Sequence, residues 1–528
     1  MLRDLCLAAA VALLVLAPTL LYPYGRDQAV FAYVGRVIAE GGMPYRDAWD
    51  LKPPGIYLAY AILGRLFPTP AENAMAALRV VDVLLAAVTA ALLAVFARRA
   101  GCPKAGVAAG AWYAALYLQG GYWSLGQAEA WANPLLLGGA LLLWPRSEGR
   151  PERAGLWTWA VAGVLAGGAL LLKFTTVLLL LPAAVIGLRS APEHGPRRLL
   201  ALVAGAAVPL IAAGAWLASG GALGAYFEIQ RGFVAPYTRL TASGPLEHVA
   251  RAGAYTGTWL LGAWLPAALA LLALAMRKSA GNPGSGVVRW MAAAGLLAVW
   301  IQDKYFGYHW QTLLPALALL AAFGAVAGAA RAGFRPLPAA LALLLPLAWA
   351  VGRNWSVYRD GAARVAGRIS QEEWLARFGR PWKGDNSYLA NTWAAREVAR
   401  WSAPGESILV WGFEPSIYLL ADRRPPTRYF FNVPVTSKFT PVGWRYEFLR
   451  DLQERPPALV IVARNDAIPW ASGLTTDSAA QLQEWPELSN WLRANYREES
   501  RVEYFTFYRR IGQAPGDGAS REARGGGL

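Results

Sequence analysis

The sequence predicts a polytopic α-helical membrane protein, with about 11 transmembrane helices and further interfacial helices, that ends in a C-terminal soluble α/β domain. Of its 528 residues, 56% are hydrophobic and only 16% are charged. Apolar runs recur from residue 5 to residue 351, and several could cross a hydrocarbon core of about 30 Å. After Arg353 the sequence becomes mixed polar, charged and aromatic, which indicates a folded domain outside the bilayer.

Eleven apolar segments are predicted to span the membrane: 5–21, 76–97, 104–119, 130–144, 156–172, 174–188, 199–218, 257–276, 288–301, 311–330 and 336–351. We interpret residues 1–21 as a retained span, because no convincing signal-peptide cleavage site follows them. The apolar segment Ile56–Phe67 is too short to span, since 12 residues reach only about 18 Å as a helix. We expect it to lie in the membrane interface.

The basic residues predict the orientation in the membrane. Net charge is +16, but many of the arginines occupy short loops between spans, where the positive-inside rule expects them. The excess positive charge therefore does not indicate a nucleic-acid partner. If Ile56–Phe67 lies at the surface, all the predicted cytoplasmic loops are basic: 98–104, 145–153, 188–198, 277–289 and 331–335. We expect a bacterial inner-membrane protein whose remaining loops and C-terminal domain are extracytoplasmic.

These observations divide the chain into a membrane domain, 1–352, an extracytoplasmic α/β domain, 353–510, and a disordered tail, 511–528. Within the membrane domain we call 22–75 the first loop and 120–129 the second loop. A longer loop, 219–256, has Gly- and Pro-broken helical parts and could order around a substrate as a lid. In the C-terminal domain, "ESILVWG", "PALVIVAR" and "YFTFYRR" are predicted strands, and "YLANTWAAREVARWS" is a predicted helix.

The first loop concentrates charged residues close to the predicted bilayer. An amphipathic helix is predicted after Asp27 from the spacing of its apolar residues, and Gly41-Gly42 ends it. Asp27 could serve only as its N-cap. The next stretch, "DAWDLKPPGIY", places Lys52 before two prolines that suit the first turn of the interfacial helix. Lys52 alone could be a lysine that anchors this helix at lipid headgroups.

Together with three later segments, this loop resembles the GT-C membrane glycosyltransferases, a superfamily that includes protein O-mannosyltransferases and the aminoarabinose transferase of lipid A. The matching segments are "RDQAVFAYVGRVIAEGGMPYRDAWDLKPPG", "LRVVDVLLAAVTAALL", "LLLKFTT" and "KYFGYHWQTLLPALALLAA". They follow the family order over roughly residues 20–330. The resemblance implies a GT-C fold and transfer of a sugar, with inversion, from a polyprenyl-phosphate donor to an acceptor at the outer face.

The resemblance also implies roles for individual residues. Asp27 matches the acidic residue of the family's first loop, and a carboxylate there can accept the proton of an acceptor hydroxyl. Lys52 matches a lysine that meets the donor phosphate, where a cation stabilises the charge of the leaving group. Arg26 is a further phosphate-binding candidate, or simply an ion-pair partner. Two departures leave the donor sugar open: many relatives have an acid where Gln28 stands, and the aminoarabinose branch has arginine at Val30.

The remaining candidates are polar residues on the same predicted side. Asp47 and Asp50 would share a face if their stretch is helical, and they could bind sugar hydroxyls or pair with nearby cations. Glu129 in the second loop is a second catalytic candidate or a carboxylate favoured by a helix dipole. Donor-phosphate contacts are predicted for Lys173, Lys304 and His309, and sugar or acceptor contacts for Gln28 and Tyr305. An aromatic belt explains Tyr305 equally well.

No cofactor is required by this hypothesis, although Asp27 and Glu129 could share a divalent cation with the phosphate. The predicted partners are a polyprenyl-phosphate-sugar donor, a lipid, protein or glycan acceptor, and the bilayer. Two other functions remain open: a lipid or sugar transporter, and an inactive assembly protein with the same fold. The C-terminal domain lacks a Gly-x-Gly-x-x-Gly fingerprint. We expect it to cap the cavity, with Asp422, Arg423 and Arg424 either facing that cavity or in an exposed turn.

Overall fold

The computed structural model describes residues 1–67, 71–144, 155–241, 244–276, 284–333, 338–379 and 386–512. The predicted basic loop 145–153 lies outside these residues, as does the predicted disordered tail apart from its first two residues.

The membrane domain is built from α-helices. In chain order they are α1 (Leu2–Leu16), α2 (Arg26–Ala39), α3 (Pro54–Leu66), α4 (Ala71–Arg99), α5 (Gly106–Gln119), α6 (Ala128–Leu143), α7 (Leu156–Leu172), α8 (Leu181–Arg189), α9 (Gly195–Ser219), α10 (Leu223–Ile229), α11 (Ala235–Arg239), α12 (Pro245–Gly262), α13 (Trp264–Ala275), α14 (Gly284–Gln302), α15 (Leu314–Arg331) and α16 (Pro338–Arg353). The 3₁₀ segments that matter below are Tyr122–Ser124, Phe174–Leu180 and Gly307–Thr312.

Among the described residues, four helices are long and apolar enough to cross a bilayer unaided: Leu2–Leu21, Asn73–Arg99, Pro192–Ser219 and Leu314–Arg331. Six crossings result if each of two bent helix pairs forms one span. Several shorter apolar helices accompany them, including α6 and α7. The chain is thus a multi-pass membrane protein, but the predicted number of 11 spans is not confirmed.

The first loop contains both predicted helices. Gly25 is the N-cap of α2, so Asp27 is not the N-cap and lies in the first helical turn. Gly41, with a φ of 94°, follows the end of this helix as predicted. The interfacial segment forms α3, whose first turn holds Pro54. A Cβ on Gly55 would lie 2.6 Å from the carbonyl oxygen of Leu171, so α3 begins directly against the end of α7.

Between these two helices the chain is not helical. Tyr45 has a φ of 69°, and a short bridge pairs Pro44 with Ala48. The condition for a common face of Asp47 and Asp50 is therefore not met, because a three-residue spacing places side chains together only on a helix.

The C-terminal domain is an α/β unit. Its elements are α17 (Trp355–Val365), α18 (Gln371–Leu375), α19 (Tyr388–Trp401), β1 (Ile408–Trp411), α20 (Ser416–Ala421), α21 (Val433–Thr436), α22 (Val442–Glu454), β2 (Leu459–Ala463), α23 (Pro469–Ser472), α24 (Ser478–Gln483), α25 (Pro486–Asn495), β3 (Tyr496–Val502) and β4 (Phe505–Arg510). The sheet order is β1-β2-β4-β3, with β1 parallel to β2 and the other pairs antiparallel. The three predicted strands are β1, β2 and β4.

Polar and aromatic contacts join the C-terminal domain to the first loop. The backbone amide of Trp49 donates to the carbonyl of Arg428 at 2.9 Å. The ring of Tyr33 on α2 lies 4.3 Å from that of Phe430. Two of the three charged candidates pair with residues of α2 and its C-cap, Asp422 with Arg36 at 2.5 Å and Arg424 with Glu40 at 2.8 Å. Arg423 is buried and donates to Ser402.

Candidate active site

A cavity of about 470 Å³ lies between the first loop and the C-terminal domain. One part of its wall is charged, formed by Arg26, Asp27, Asp50 and Lys52. The second loop adds Trp123 and Ser124, and the segment before α15 adds Phe306, Gly307 and Tyr308. The C-terminal domain contributes an apolar wall of Phe413, Phe431, Val433, Ile468, Trp470 and Ala471. The cavity therefore combines a charged end with an apolar, largely aromatic remainder.

Asp27 and Lys52 form an ion pair at the charged end. The Lys52 ammonium nitrogen lies 3.6 Å from Asp27 Oδ2, and the two side chains are 11% and 29% exposed. Local structure brings them together, since Asp27 is in the first turn of α2 and Lys52 immediately precedes the prolines that begin α3. The helices pack closely, with Gly35 of α2 against the backbone of Ala61.

The Lys52 ammonium is also held by two aromatic rings. Its nitrogen lies 4.7 Å from the ring centre of Phe31 and 4.8 Å from that of Tyr308, which are cation–π distances. Among the described residues none accepts a hydrogen bond from this ammonium. Its N–H groups are thus available to an anion that enters the cavity.

Tyr308 is a cavity residue that the sequence did not single out. Its hydroxyl lies within hydrogen-bonding reach of the Asp27 carboxylate, and burial raises the pKa of Tyr308 well above its ordinary value. The hydroxyl therefore remains protonated and can donate to the carboxylate. The only sequence signal was its place in "KYFGYHWQ", where an aromatic belt explains a tyrosine equally well.

A second carboxylate–ammonium pair, Glu129 and Lys173, lies close to the first. Glu129 is fully buried in the first turn of α6, and its Oε1 lies 3.0 Å from the ammonium nitrogen of Lys173. Lys173 follows the end of α7 with an extended backbone. Neither residue lines the cavity, but the charge of Lys173 interacts with those of Lys52 and Asp27. The predicted Glu129 and Lys173 are thus brought next to the cavity, as partners of each other.

Asp50 lies in the cavity wall, whereas Asp47 does not. The Tyr57 hydroxyl donates to Asp50 Oδ2 at 2.5 Å, and burial raises the pKa of Asp50 to about 6. Asp47 pairs with Arg46 at 2.6 Å and accepts from the backbone amide of Met43, and it faces a separate polar cleft. Only Asp50 is placed to meet a ligand in the cavity.

Arg26 lines the cavity, but its guanidinium is paired with Glu414 of the C-terminal domain. Its guanidinium donates to Glu414 Oε1 at 3.1 Å and lies 5.1 Å from the ring centre of Phe413. Glu414 also accepts from the Asn391 amide at 2.9 Å. Burial raises the pKa of Glu414, while the charge of Arg26 opposes that effect. The ion-pair alternative for Arg26 is therefore what the structure shows, with a partner from the C-terminal domain.

Gln28 has a structural position. Its side chain is fully buried, and its amide nitrogen donates to backbone carbonyls of the second loop, including that of Tyr122 at 2.9 Å. Its amide oxygen accepts from the backbone of Gly25. The structure thus uses Gln28 to join α2 to the second loop and does not place it in the cavity wall, because both polar groups are engaged by the backbone.

Three further predicted residues surround the cavity without lining it. Lys304 donates to the carbonyl of Tyr237 at 2.9 Å, and burial lowers the pKa of Lys304 to about 8. Tyr305 stacks on Tyr255 with a centroid distance of 4.6 Å. His309 is buried, and burial together with the charges of Lys173, Lys52 and Lys304 lowers its pKa well below the ordinary value. These residues contribute charge and packing next to the cavity.

Loop 219–256, the predicted lid, lines part of the cavity. Phe233 and Tyr237 of loop 219–256 line it, and the ring of Phe233 lies 4.7 Å from that of Trp49. Gln230 donates to the carbonyl of Leu51 at 3.2 Å. A search of the described residues for three or more His, Cys, Asp or Glu placed to hold a metal ion finds no such group. Asp27 and Glu129 each have a lysine partner.

Comparison with known proteins identifies the fold. No protein-family model and no curated protein matches the chain. Among solved structures, ArnT from Cupriavidus metallidurans bound to undecaprenyl phosphate is similar, with a TM-score of 0.61 and 14% identity over 96% of this chain and 98% of that one. ArnT in the apo state gives 0.58 and 12%, over 95% and 97%. This chain has the ArnT fold.

The ArnT fold confirms the predicted GT-C architecture. The similarity extends over almost the full length of both chains, so it includes the membrane domain and the C-terminal domain together. At 14% identity it supports the fold only. The roles of Asp27, Lys52 and their neighbours depend on the geometry described above.

Proposed function

We propose that this protein is a glycosyltransferase that moves a sugar from a polyprenyl-phosphate donor, of the undecaprenyl-phosphate kind, to an acceptor hydroxyl. The observation that carries the proposal is the Asp27–Lys52 pair, 3.6 Å apart in the charged wall of a 470 Å³ cavity. The ArnT fold supports it, because one solved ArnT structure holds undecaprenyl phosphate.

Lys52 binds the donor phosphate in this proposal. Its ammonium is desolvated, held between two rings and available for hydrogen bonding, as a phosphate site requires. When the phosphate pairs with Lys52, it competes with Asp27 for the same ammonium. Donor binding therefore releases the Asp27 carboxylate, and the enzyme gains its base only when the donor is in place.

The chemical step forms a new glycosidic bond as the bond to the phosphate breaks. The acceptor oxygen attacks the anomeric carbon while Asp27 takes the hydroxyl proton, and the bond between that carbon and the phosphate oxygen breaks. Base catalysis of this kind contributes about 10²–10⁴-fold. Polyprenyl phosphate departs with an added negative charge, which Lys52 stabilises in the transition state. Tyr308 keeps Asp27 oriented through its hydroxyl.

The Glu129–Lys173 pair contributes to the electrostatics around Lys52. Lys173 adds positive charge near Lys52, and Glu129 opposes the lowering of the Lys173 pKa by burial. In this proposal Glu129 acts through Lys173, and Asp50 offers its carboxyl to the sugar hydroxyls from the cavity wall. The working face is extracytoplasmic in a bacterial inner membrane, as the basic loops on the opposite side suggest. The acceptor is a lipid, protein or glycan.

Turnover of labelled donors tests the proposal. Purified protein in detergent is incubated with a panel of radiolabelled undecaprenyl-phosphate sugars and membrane extracts, and loss of label from the lipid is measured. We expect turnover by the wild type that falls at least 100-fold in Asp27→Asn and in Lys52→Ala. Asp47→Asn, a carboxylate of the same loop outside the cavity, is the matched control and should retain activity. Donor binding without turnover would instead favour a transporter or an inactive relative.

A further inference from the structure

Two charged residues are buried in α4, which is otherwise strongly apolar. Arg79 and Asp82 are 1% and 2% exposed, and neither lines the cavity. They lie three residues apart and therefore on one face of the helix. An ionisable residue in a membrane span is costly and is retained only where it has a function or a partner. The hydrogen bonds of each residue identify the backbone segment that it fixes.

Arg79 holds the chain that leads into α2. Its Nε donates to the carbonyl of Tyr22 at 3.1 Å, and its Nη2 donates to the carbonyl of Pro23. These two carbonyls precede Gly25, the N-cap of the helix that carries Asp27. One guanidinium thus fixes two successive backbone groups immediately before the catalytic helix.

Asp82 holds the second loop at a single point. Its Oδ1 accepts from the backbone amide of Gly126 at 3.1 Å, the Tyr117 hydroxyl at 2.7 Å and the Trp131 indole at 2.7 Å. Gly126 has a φ of 67° and is followed almost at once by α6, which carries Glu129. A carboxylate oxygen with three donors fixes this glycine turn.

Gly126 also connects to the helix that follows Lys52. Its carbonyl accepts from the Tyr60 hydroxyl of α3 at 2.9 Å. The Tyr60 ring in turn lies 5.6 Å from that of Phe31, which contacts the Lys52 ammonium. The turn held by Asp82 is thereby joined to both loops and to both acid–lysine pairs.

We propose that Arg79 and Asp82 are positioning residues that hold the first and second loops in register, so that Asp27–Lys52 and Glu129–Lys173 lie side by side. The inference rests on the proposed function for its catalytic consequence. Because the hydrogen bonds of Arg79 go to the entry to α2, and those of Asp82 go to the second loop and its flanking helices, substitutions at the two residues should loosen different segments. A displacement of about 1 Å at a reacting group can cost about 100-fold in rate.

Hydrogen exchange and ligand binding test whether Arg79 and Asp82 fix different segments. Exchange is followed by mass spectrometry in detergent for segments 22–30 and 120–131, and the affinity for undecaprenyl phosphate and the transfer rate are measured alongside. Asp82→Ala should raise exchange at 120–131, and Arg79→Met at 22–30. Each should lower the transfer rate about 100-fold. Asp82→Asn should restore most of the loss, since all three hydrogen bonds go to Oδ1, which asparagine retains.

Two further variants serve as a control and as a milder substitution. Thr89→Val removes a buried hydroxyl of the same helix that donates to the carbonyl of Leu85 one turn earlier, and it should behave as wild type. Tyr117→Phe removes a single donor to Asp82 and should give a smaller change in the same direction if Asp82→Ala does not fold. Unchanged exchange in Asp82→Ala and Arg79→Met would overturn the proposal. Raised exchange with unchanged affinity and rate would reduce both residues to a purely structural role. If the wild type transfers no sugar, the proposed function fails. The positioning role of Arg79 and Asp82 is then still tested by hydrogen exchange and by the affinity for undecaprenyl phosphate.

Discussion

Arg26, the residue immediately before the proposed base, gives its guanidinium to Glu414 of the C-terminal domain, 3.1 Å away. Both side chains are almost fully buried. The pair draws the guanidinium toward the C-terminal domain, so that Lys52 is the cation at Asp27. It also fixes the C-terminal domain directly to the first turn of α2. The soluble domain is thus part of the site and completes its wall.

Removal of Glu414 should destabilise the whole protein. Glu414→Ala leaves Arg26 as a buried charge without its partner, and breaking such a pair typically costs about 3–5 kcal/mol. We expect a clear fall in the midpoint of thermal unfolding in detergent. Glu372→Ala breaks the exposed Arg396–Glu372 pair of the same domain and should leave the midpoint unchanged. Equal midpoints for the Glu414 and Glu372 variants would contradict this prediction.

Asp50 should make stability depend on pH in a defined direction. Burial raises its pKa from 3.8 to about 6, so the folded protein retains a proton that the unfolded chain has already lost. Stability contributed by this group is present below pH 3.8 and is lost as the pH rises to about 6. Asp50→Asn should remove that slope when thermal midpoints are measured between pH 4 and 7.

Asp47 offers the matched control for this pH dependence. Its pairing with Arg46 and the Met43 amide lowers its pKa despite partial burial, so its contribution is lost only as the pH falls below its ordinary range. Asp47→Asn should therefore keep the wild-type slope between pH 4 and 7. A slope that survives in Asp50→Asn would show that another group is responsible.

Loss of the Tyr308 hydroxyl should affect catalysis more than donor binding. Tyr308→Phe removes the hydroxyl that lies near Asp27 but keeps the ring that faces the Lys52 ammonium. We expect the transfer rate to fall about tenfold with little change in the affinity for undecaprenyl phosphate. Tyr305→Phe alters a tyrosine that stacks on Tyr255 outside the cavity wall, and it should retain both properties.

Glu129 and Lys173 should show strong coupling in a double-mutant cycle. Glu129→Gln leaves a buried ammonium unpaired and Lys173→Met leaves a buried carboxylate unpaired, so each single change should lower the unfolding midpoint. The double variant should regain stability, because no uncompensated charge remains. It should not regain donor affinity if Lys173 contributes charge to the phosphate site. Additive midpoints would show that the two residues do not act as a pair.

The sequence predicted the features that depend on local pattern. The apolar spacing after Asp27 gave α2, the prolines after Lys52 gave the start of α3, and apolar runs gave β1, β2 and β4. The charged strand β3 was missed because its solvent-exposed residues lack the alternation that marks a half-buried strand. The predicted number of spans is not confirmed, because the described helices include short ones such as α6 and α7 and bent pairs such as α12 and α13.

Contacts between distant segments could not be predicted in the same way. Glu414 lies 388 residues from Arg26, and nothing in either neighbourhood marks the other. The hydrogen bonds of Gln28 and Asp82 to backbone groups of the second loop likewise depend on how helices pack. Spacing gave Asp47 and Asp50 a common face only if their stretch were helical, and the turn at residues 45–47 shows that it is not.

The affinity for undecaprenyl phosphate in Asp27→Asn and Lys52→Ala distinguishes the proposed roles of the two residues. If the donor phosphate competes with Asp27 for the Lys52 ammonium, Lys52→Ala should weaken binding by about 10–100-fold. Asp27→Asn should bind at least as tightly as the wild type, because the competitor is gone, while it transfers no sugar. Weaker binding in Asp27→Asn, or unchanged binding in Lys52→Ala, would contradict the proposed division of roles.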